Sequence, residues 1–308
     1  MAAVSSARVT RRAISNGAFV GFCYFVTAIA LVFLAAVLWT LVQKGLAGMS
    51  LDTFTMDTPA SGSRGGLLNA IIGSIMLCTL AMALALVIGI LAGTWLSEYS
   101  GSGRYGVVVR FLNDVLLSAP SILVGLFVWY LLVDDIFGKG LMRLYEPAGL
   151  LWRGVFGGTL GHFSGIAGSV ALALIAIPVI ARNTEEVLRL QPTSLRESGV
   201  ALGTPFWTVI RAILWRAGGS GILTAGLLAF SRISGETAPL LFTALNHQFR
   251  SFDMTREMAN LPVVMFNDAL SAYDDLQRLA WAAALIVSVS VLGVIIVARL
   301  LSREQKST

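Results

Sequence analysis

Two cysteines and two histidines stand in 308 residues, and only 13% of the chain is charged. Cys23 and Cys78 both fall in apolar runs, so neither a disulfide framework nor a cysteine metal site is implied. His162 and His247 lie far apart and have no cysteine or carboxylate neighbour at ligand spacing, which argues against a metal centre. A G-x-x-x-x-G-K-[ST] run is absent: Gly138, Lys139 and Gly140 have neither the spacing nor the following Ser or Thr. There is also no Ser-His-Asp arrangement and no His-rich or Asp-rich cluster, so an enzyme working on phosphate or lipid at the membrane surface lacks its chemistry. The formal charge of +5 is scattered at the ends of apolar runs and makes no interleaved basic and aromatic patch, which excludes a nucleic-acid partner.

What the chain has in quantity is apolar surface. At 56% hydrophobic residues it is too apolar for a soluble domain of this length and reads as an all-α polytopic membrane protein in contact with lipid. Six transmembrane helices are expected, near 17–42, 67–96, 115–133, 166–181, 217–245 and 279–298, after a polar N-terminal tail over 1–16. The first run is longer than a signal-peptide core and reads as an uncleaved span. Arg104 and Arg110 fall in a loop on this reading, and Pro120 in the first turns of the third span. Gly89 and Gly93 stand at GxxxG spacing, which would let another helix approach closely, and Gly157, Gly161 and Gly165 repeat at the same interval. Six spans put both termini on one side. Thirteen Arg and Lys fall on that side and eight on the other, which places both termini in the cytoplasm.

Residues 230–243 carry a full positive and a full negative charge inside an apolar run. On a helix entering at Ala217, Arg232 lies about 22 Å deep in a hydrocarbon core about 30 Å thick. Charge at that depth faces a bundle interior or aqueous cavity and marks a solute path. Two readings of Arg232 and Glu236 stand open. One is an i,i+4 ion pair on a helix face. The other is an anion path in which Arg232 attracts the solute and Glu236 orients or releases it. Gly235 and Pro239 favour the second, because both weaken the helix and Pro239 cannot donate to the carbonyl of Gly235.

Residues 182–216 form a cytoplasmic loop with a short helix in it. Ser194 and Glu197 fit a capping box, and Gly203 before Pro205 is a stop. A helix of about two turns is marginal by itself, so it rests on something, and a cytosolic partner surface is the economical candidate.

These residues carry a family resemblance. Glu197, Ser198, Gly199, Val200, Ala201, Leu202 and Gly203, with Ile213 ten residues on, resemble the EAA loop of ABC importer permeases; Ser198 and Gly199 replace its two alanines, and Trp215 and Arg216 stand in place of its Leu-Pro. Gly235-Glu236-Thr237-Ala238-Pro239-Leu240-Leu241-Phe242-Thr243 is similar to the signature of the phosphate-specific permease subunits, as are Asn183-Thr184-Glu185-Glu186, Ala119-Pro120-Ser121-Ile122 and Ala259-Asn260-Leu261-Pro262-Val263. The resemblance covers roughly residues 67–300.

It implies a type I ABC importer permease fold and a transport subunit rather than an enzyme, in a bacterial cytoplasmic (inner) membrane. The implied partners are a homologous second permease subunit, two ATP-binding cassette subunits that bind ATP and Mg, and an external phosphate-binding protein. A regulatory link to a sensor kinase is a further partner of such systems. This chain itself needs no cofactor. The charges in the apolar run make Arg232 and Glu236 the candidate substrate path, and Thr237 and Ser121 of the matching motifs are placed on it with them. The resemblance assigns ATPase coupling to Arg196, Glu197, Ser198, Gly199, Ala201, Leu202 and Gly203, with Glu197 meeting the ATPase. Sulfate, molybdate or phosphonate are alternative substrates, and a secondary anion transporter, which also uses broken helices, is an alternative class without a visible inverted repeat here.

Overall fold

The computed structural model describes residues 6–101, 103–134, 146–156 and 161–304, and all regular structure among them is helical. In chain order the helices are α1 (Ser6–Gly48), α2 (Leu51–Thr55), α3 (Leu68–Glu98), α4 (Arg104–Ser118) and α5 (Ser121–Val128), the last continued by a π turn, Trp129–Val133. Then come α6 (Glu146–Phe156), α7 (Gly165–Arg189), α8 (Thr193–Ala201) and α9 (Phe206–Val209), which passes through a second π turn, Ile210–Leu214, into α10 (Trp215–Ala217). The chain closes with α11 (Gly219–Ile233), α12 (Ala238–Leu241), α13 (Leu261–Ala269) and α14 (Asp274–Glu304).

Four helices are long and apolar enough to cross a bilayer alone, and the count rises to six if each of two bent pairs is one span. The pairs are 104–118 with 121–133, bent by 106°, and 206–217 with 219–233, bent by 73°. Burial singles out α7 as the central helix: 67% of its most apolar stretch is covered by the rest of the chain, against 22% for α3 and 28% for α14. Its Leu172, Ala173, Ile175, Ala176 and Ile180 interdigitate with Leu77, Ala81 and Ala85 of α3, and Val124, Ala229, Ile233 and Leu240 close the same cluster from α5, α11 and α12. The GxxxG pair lies in this seam. A methyl on Gly89 would meet Ile180, and one on Gly93 would meet the Ala181 carbonyl at 2.5 Å. By contrast α1 touches α14 near its own C-terminal end, where Lys44 Nζ sits 4.9 Å from the centroid of the Trp281 ring. From Phe19 to Trp39 its large apolar side chains are exposed, as a lipid-facing or partner-facing helix requires.

Several expected boundaries shift, each for a local reason. The helix expected from 115 starts at Arg104 and stops at Ser118, with Ala119 extended; Pro120, expected within helical turns, is instead the N-cap of α5. A residue before proline is pushed out of the helical region, and proline opens a helix without losing a bond. The fourth span continues past 181 to Arg189, so Arg182, Glu185, Glu186 and Arg189 are helical rather than loop residues. The capping box does not form: Pro192 takes the N-cap position, helix α8 begins at Thr193, and no side chain caps it. Gly203 does stop the helix, with φ of +74° two residues past its end, the left-handed geometry that glycine supplies there. The continuous glycine face also fails. Gly157 lies outside the described residues, Gly161 has φ of +85°, and Gly165 opens a new helix capped by Ser164 Oγ.

At the end of the bundle where α3 begins, Asn69 acts as a hub: it accepts from the Thr58 amide and hydroxyl and donates to the carbonyls of His247 and Gln248. Nearby Arg250 pairs with Asp57 at 3.2 Å. Asp268, buried at the C-terminal turn of α13, has an Oδ2 that meets no hydrogen-bond donor among the described residues. Burial, and secondarily the charge of Asp275, pushes its carboxyl up to about 6. An unfolded aspartate titrates near 3.9. The folded chain therefore holds this proton more tightly, and stability falls as pH rises from about 4 to about 6 and stays lower above. Asp268→Asn is expected to raise the melting temperature at about pH 8 by a few degrees, with the gain shrinking toward about pH 5. Scanning calorimetry at both pH values checks this, and a pH-independent shift would count against it.

Candidate functional site

The two backbone breaks meet. Gly125, one turn into α5, lies so close to α12 that a methyl there would stand 2.6 Å from the Pro239 Cα. Ser121, the first residue of α5, and Thr237, the N-cap of α12, are therefore each within about one helical turn of this contact. Both are half-buried.

The fifth span, expected as one helix over 217–245, ends at Ile233. Ser234 to Thr237 form a turn, α12 lasts four residues, and Leu245 has φ of +56°. Pro239 accordingly sits in the first turn of α12, where its missing amide costs nothing, and no carbonyl of a continuous helix is stranded. The i,i+4 geometry disappears with the helix. No ion pair joins Arg232 to Glu236 among the described residues, which removes the intrahelical-pair reading for this conformation. Arg232 projects from the last turn of α11 and is exposed, Glu236 is half-buried in the turn, and Thr224, Leu228 and Arg232 form one uncovered stripe at four-residue spacing. A cation in the last turn also suits the helix dipole.

About 44 Å along α3 from Asn69, at the helix's other end, lies a second cluster built on charge. Arg196 of α8 donates from Nε and Nη2 to the two carboxylate oxygens of Glu98, at 2.8 and 2.7 Å. Its Nη1 donates to the Gln191 carbonyl at 2.8 Å, and Nη2 also to the Leu188 carbonyl at 2.7 Å. The Glu98 side chain is 2% exposed and Arg196 20%. This hydrogen-bonded carboxylate pushes the guanidinium above its ordinary range, so it stays charged. Alongside, Arg110 pairs with Glu185 at 2.7 Å and donates to the Leu96 carbonyl, while Arg189 reaches the same Glu185 at 2.9 Å. Gly199 presses on Val209 and Ile213, and Leu195 packs on the cluster of Leu188, Ile210 and Leu214. The inner face of α8 thus rests on its own chain.

The outer face of α8 is bare. Glu197, Ser198, Ala201 and Gly203 are exposed, with Val200 51% and Leu202 84% uncovered. Of the residues assigned to coupling, Glu197, Ser198, Ala201, Leu202 and Gly203 are therefore available to a partner, whereas Arg196 and Gly199 face inward. No three His, Cys, Asp or Glu side chains converge to hold a metal ion among the described residues.

A helix-in-loop docking face beneath a bundle with broken spans is an architecture found in known proteins. Residues 85–307 match the family described as binding-protein-dependent transport system inner membrane component. The chain belongs to this family. It is 45% identical over 291 residues to the phosphate transport system permease protein PstA of Haemophilus influenzae, covering 94% of this chain and 95% of that one. It is 30% identical over 293 residues to the probable phosphate transport system permease protein PstA of Methanocaldococcus jannaschii, covering 93% of each. Among solved structures, an inward-facing MetNI methionine ABC transporter superposes with a TM-score of 0.58 at 16% identity, covering 77% of this chain and 95% of that one. That likeness concerns the fold, which is the all-α type I importer permease fold. The chain is thus a transport subunit of the inner membrane that crosses the bilayer several times, and it is not itself an enzyme.

Within this permease the sequence reading assigned Glu98, Arg110 and Glu185 no place in a site. A hint existed: each is a charge at the edge of an apolar run, where a solvated residue is the ordinary expectation. Their partners are 75 and 98 residues distant, and no local spacing encodes that.

Proposed function

We propose that this permease is the subunit of an ATP-driven importer that forms half of the path for inorganic phosphate. The observation that carries the reading is Arg232, an uncovered guanidinium at the end of an apolar broken span, on a face left open by the chain's own packing. The names of the relatives support phosphate as the anion. The homologous second permease subunit would cover the open stripe, so that the path runs between the two. Two ATPase subunits binding ATP and Mg would dock on the outer face of α8, and an external phosphate-binding protein would deliver substrate at the end marked by Asn69. Both termini are then cytoplasmic. A link to a sensor kinase belongs with the same reading. Arg232 suits phosphate because its planar fork donates two parallel hydrogen bonds to one anion. Ser121 and Thr237 add hydroxyls beside the crossing of the two breaks.

The test is uptake by the purified complex in liposomes supplied with ATP and its binding protein. Phosphate uptake without sulfate uptake is the expected result, and preferential sulfate or molybdate uptake would overturn it. A conducting site must also release its anion. Glu236, four residues beyond Arg232 across the turn, would compete for the same donors. Glu236→Gln is therefore expected to retain phosphate longer and slow turnover, read as a lower transport rate at saturating phosphate. Unchanged transport by that variant would count against the role.

A further inference from the structure

We infer that Arg196 and Glu98 are a positioning pair that locks the docking helix α8 to the span α3, so that the two move as one lever. The inference rests on the permease reading above and deepens it. Three parts of the chain meet at this pair. Arg196 belongs to α8, Glu98 is the last residue of α3, the Leu188 carbonyl belongs to the last turn of α7, and the Gln191 carbonyl to the link between α7 and α8. A guanidinium can donate to carbonyls at and just past a helix end while keeping a bidentate grip on a carboxylate, and here it joins the Gln191 amide on the Leu188 carbonyl. Arg196 does all of this at once, with four bonds of 2.7 to 2.8 Å. Its role is therefore to hold α8 in place, whereas contact with the ATPase falls to the outward residues Glu197, Val200 and Leu202.

The consequence is directional. A push on α8 from a closing ATPase reaches the external end of the bundle through α3, whose seam with α7 is a backbone-close glycine contact at Gly89 and Gly93. Without the pair, α8 keeps its covalent link to α7 and its seat on Val209 and Ile213, so it can still dock. What is lost is the tie to α3.

The experiment compares Arg196→Gln, Glu98→Gln and the double variant in the complete reconstituted complex, measuring ATPase copurification, ATP hydrolysis and phosphate moved per ATP. Each single variant is expected to copurify the ATPase and hydrolyse ATP, yet move at least about tenfold less phosphate per ATP, with the double no worse than either single because both remove one interaction. Arg196→Lys, which keeps the charge but not the fork, should fall between. An unchanged ratio in the singles, defects that multiply in the double, or ATPase lost from Arg196→Gln but not Glu98→Gln would each overturn the inference. So would failure of Gln and Lys variants alike to assemble, which would make the pair a brace for folding. A wild-type complex that moves another oxyanion in place of phosphate defeats the substrate reading alone, and the ratio is then measured with that anion.

Discussion

Arg232→Gln is expected to abolish ATP-driven phosphate uptake while the complex assembles in normal amount. Two observations set this combination. The side chain is exposed and in no ion pair among the described residues, so its removal leaves no buried partner uncompensated and costs the fold little. Its loss takes from the path a bidentate, charge-assisted contact, and hydrogen bonds to charged groups are worth about 1.5 to 3 kcal/mol each, so two correspond to a drop of at least about a hundredfold. Uptake of radiolabelled phosphate, with membrane level and ATPase copurification measured in parallel, decides the matter. Retained uptake would place the anion path on other residues of the paired permeases.

Gly93→Val is expected to damage the stability of the bundle severely. A β-carbon there would stand 2.5 Å from the Ala181 carbonyl oxygen, 2.7 Å from Thr184 Cβ and 3.1 Å from the Glu185 amide nitrogen. Two of these are backbone atoms of the central helix α7, and they cannot rotate away. Overpacking in a dense core costs about 1 to 3 kcal/mol and more where backbone must move, so a loss of about 3 kcal/mol or more is expected. The shift would also disturb Glu185 and its pairs with Arg110 and Arg189. Gly226→Ala is the contrast: its β-carbon would meet the end of the Leu86 side chain at 3.2 Å, which can turn aside. Thermal unfolding of the purified complexes should show a large fall for the first and little change for the second. Equal stability of Gly93→Val and wild type would mean that the α3–α7 seam is looser than the geometry states.

Much of this was legible in the residue order. Runs of apolar residues cannot remain in water, so the membrane class followed from composition, and Gly89 and Gly93 announced a close helix contact because small residues at four-residue spacing share a face. Gly203 marked the end of α8 since a left-handed residue is needed there. Pro120 and Pro239 marked breaks, although the sequence placed one inside a helix and drew the other within a continuous span.

The errors share a cause. Helical spacing was extended across 217–245, where the helix ends at Ile233, and an i,i+4 relation holds only where the turns continue. Likewise Ser194 and Glu197 fitted a capping box, but Pro192 started the helix earlier and moved both out of register. Arg196 lies in the segment that the resemblance assigns to coupling, but adjacent residues on a helix point about 100° apart and only packing chooses which one faces inward.

The sequence by itself determined that this chain is a helical membrane protein, where its spans lie approximately, and that a short helix interrupts them on one side, because hydrophobicity and backbone propensity are properties of neighbouring residues. Only the tertiary structure decided that no ion pair joins Arg232 to Glu236 among the described residues, that Gly125 meets Pro239, and that Arg196 is bound to Glu98. Those relations join residues that the chain brings together by closing long loops, and their geometry is fixed by the dense packing of helices around α7 rather than by any local rule.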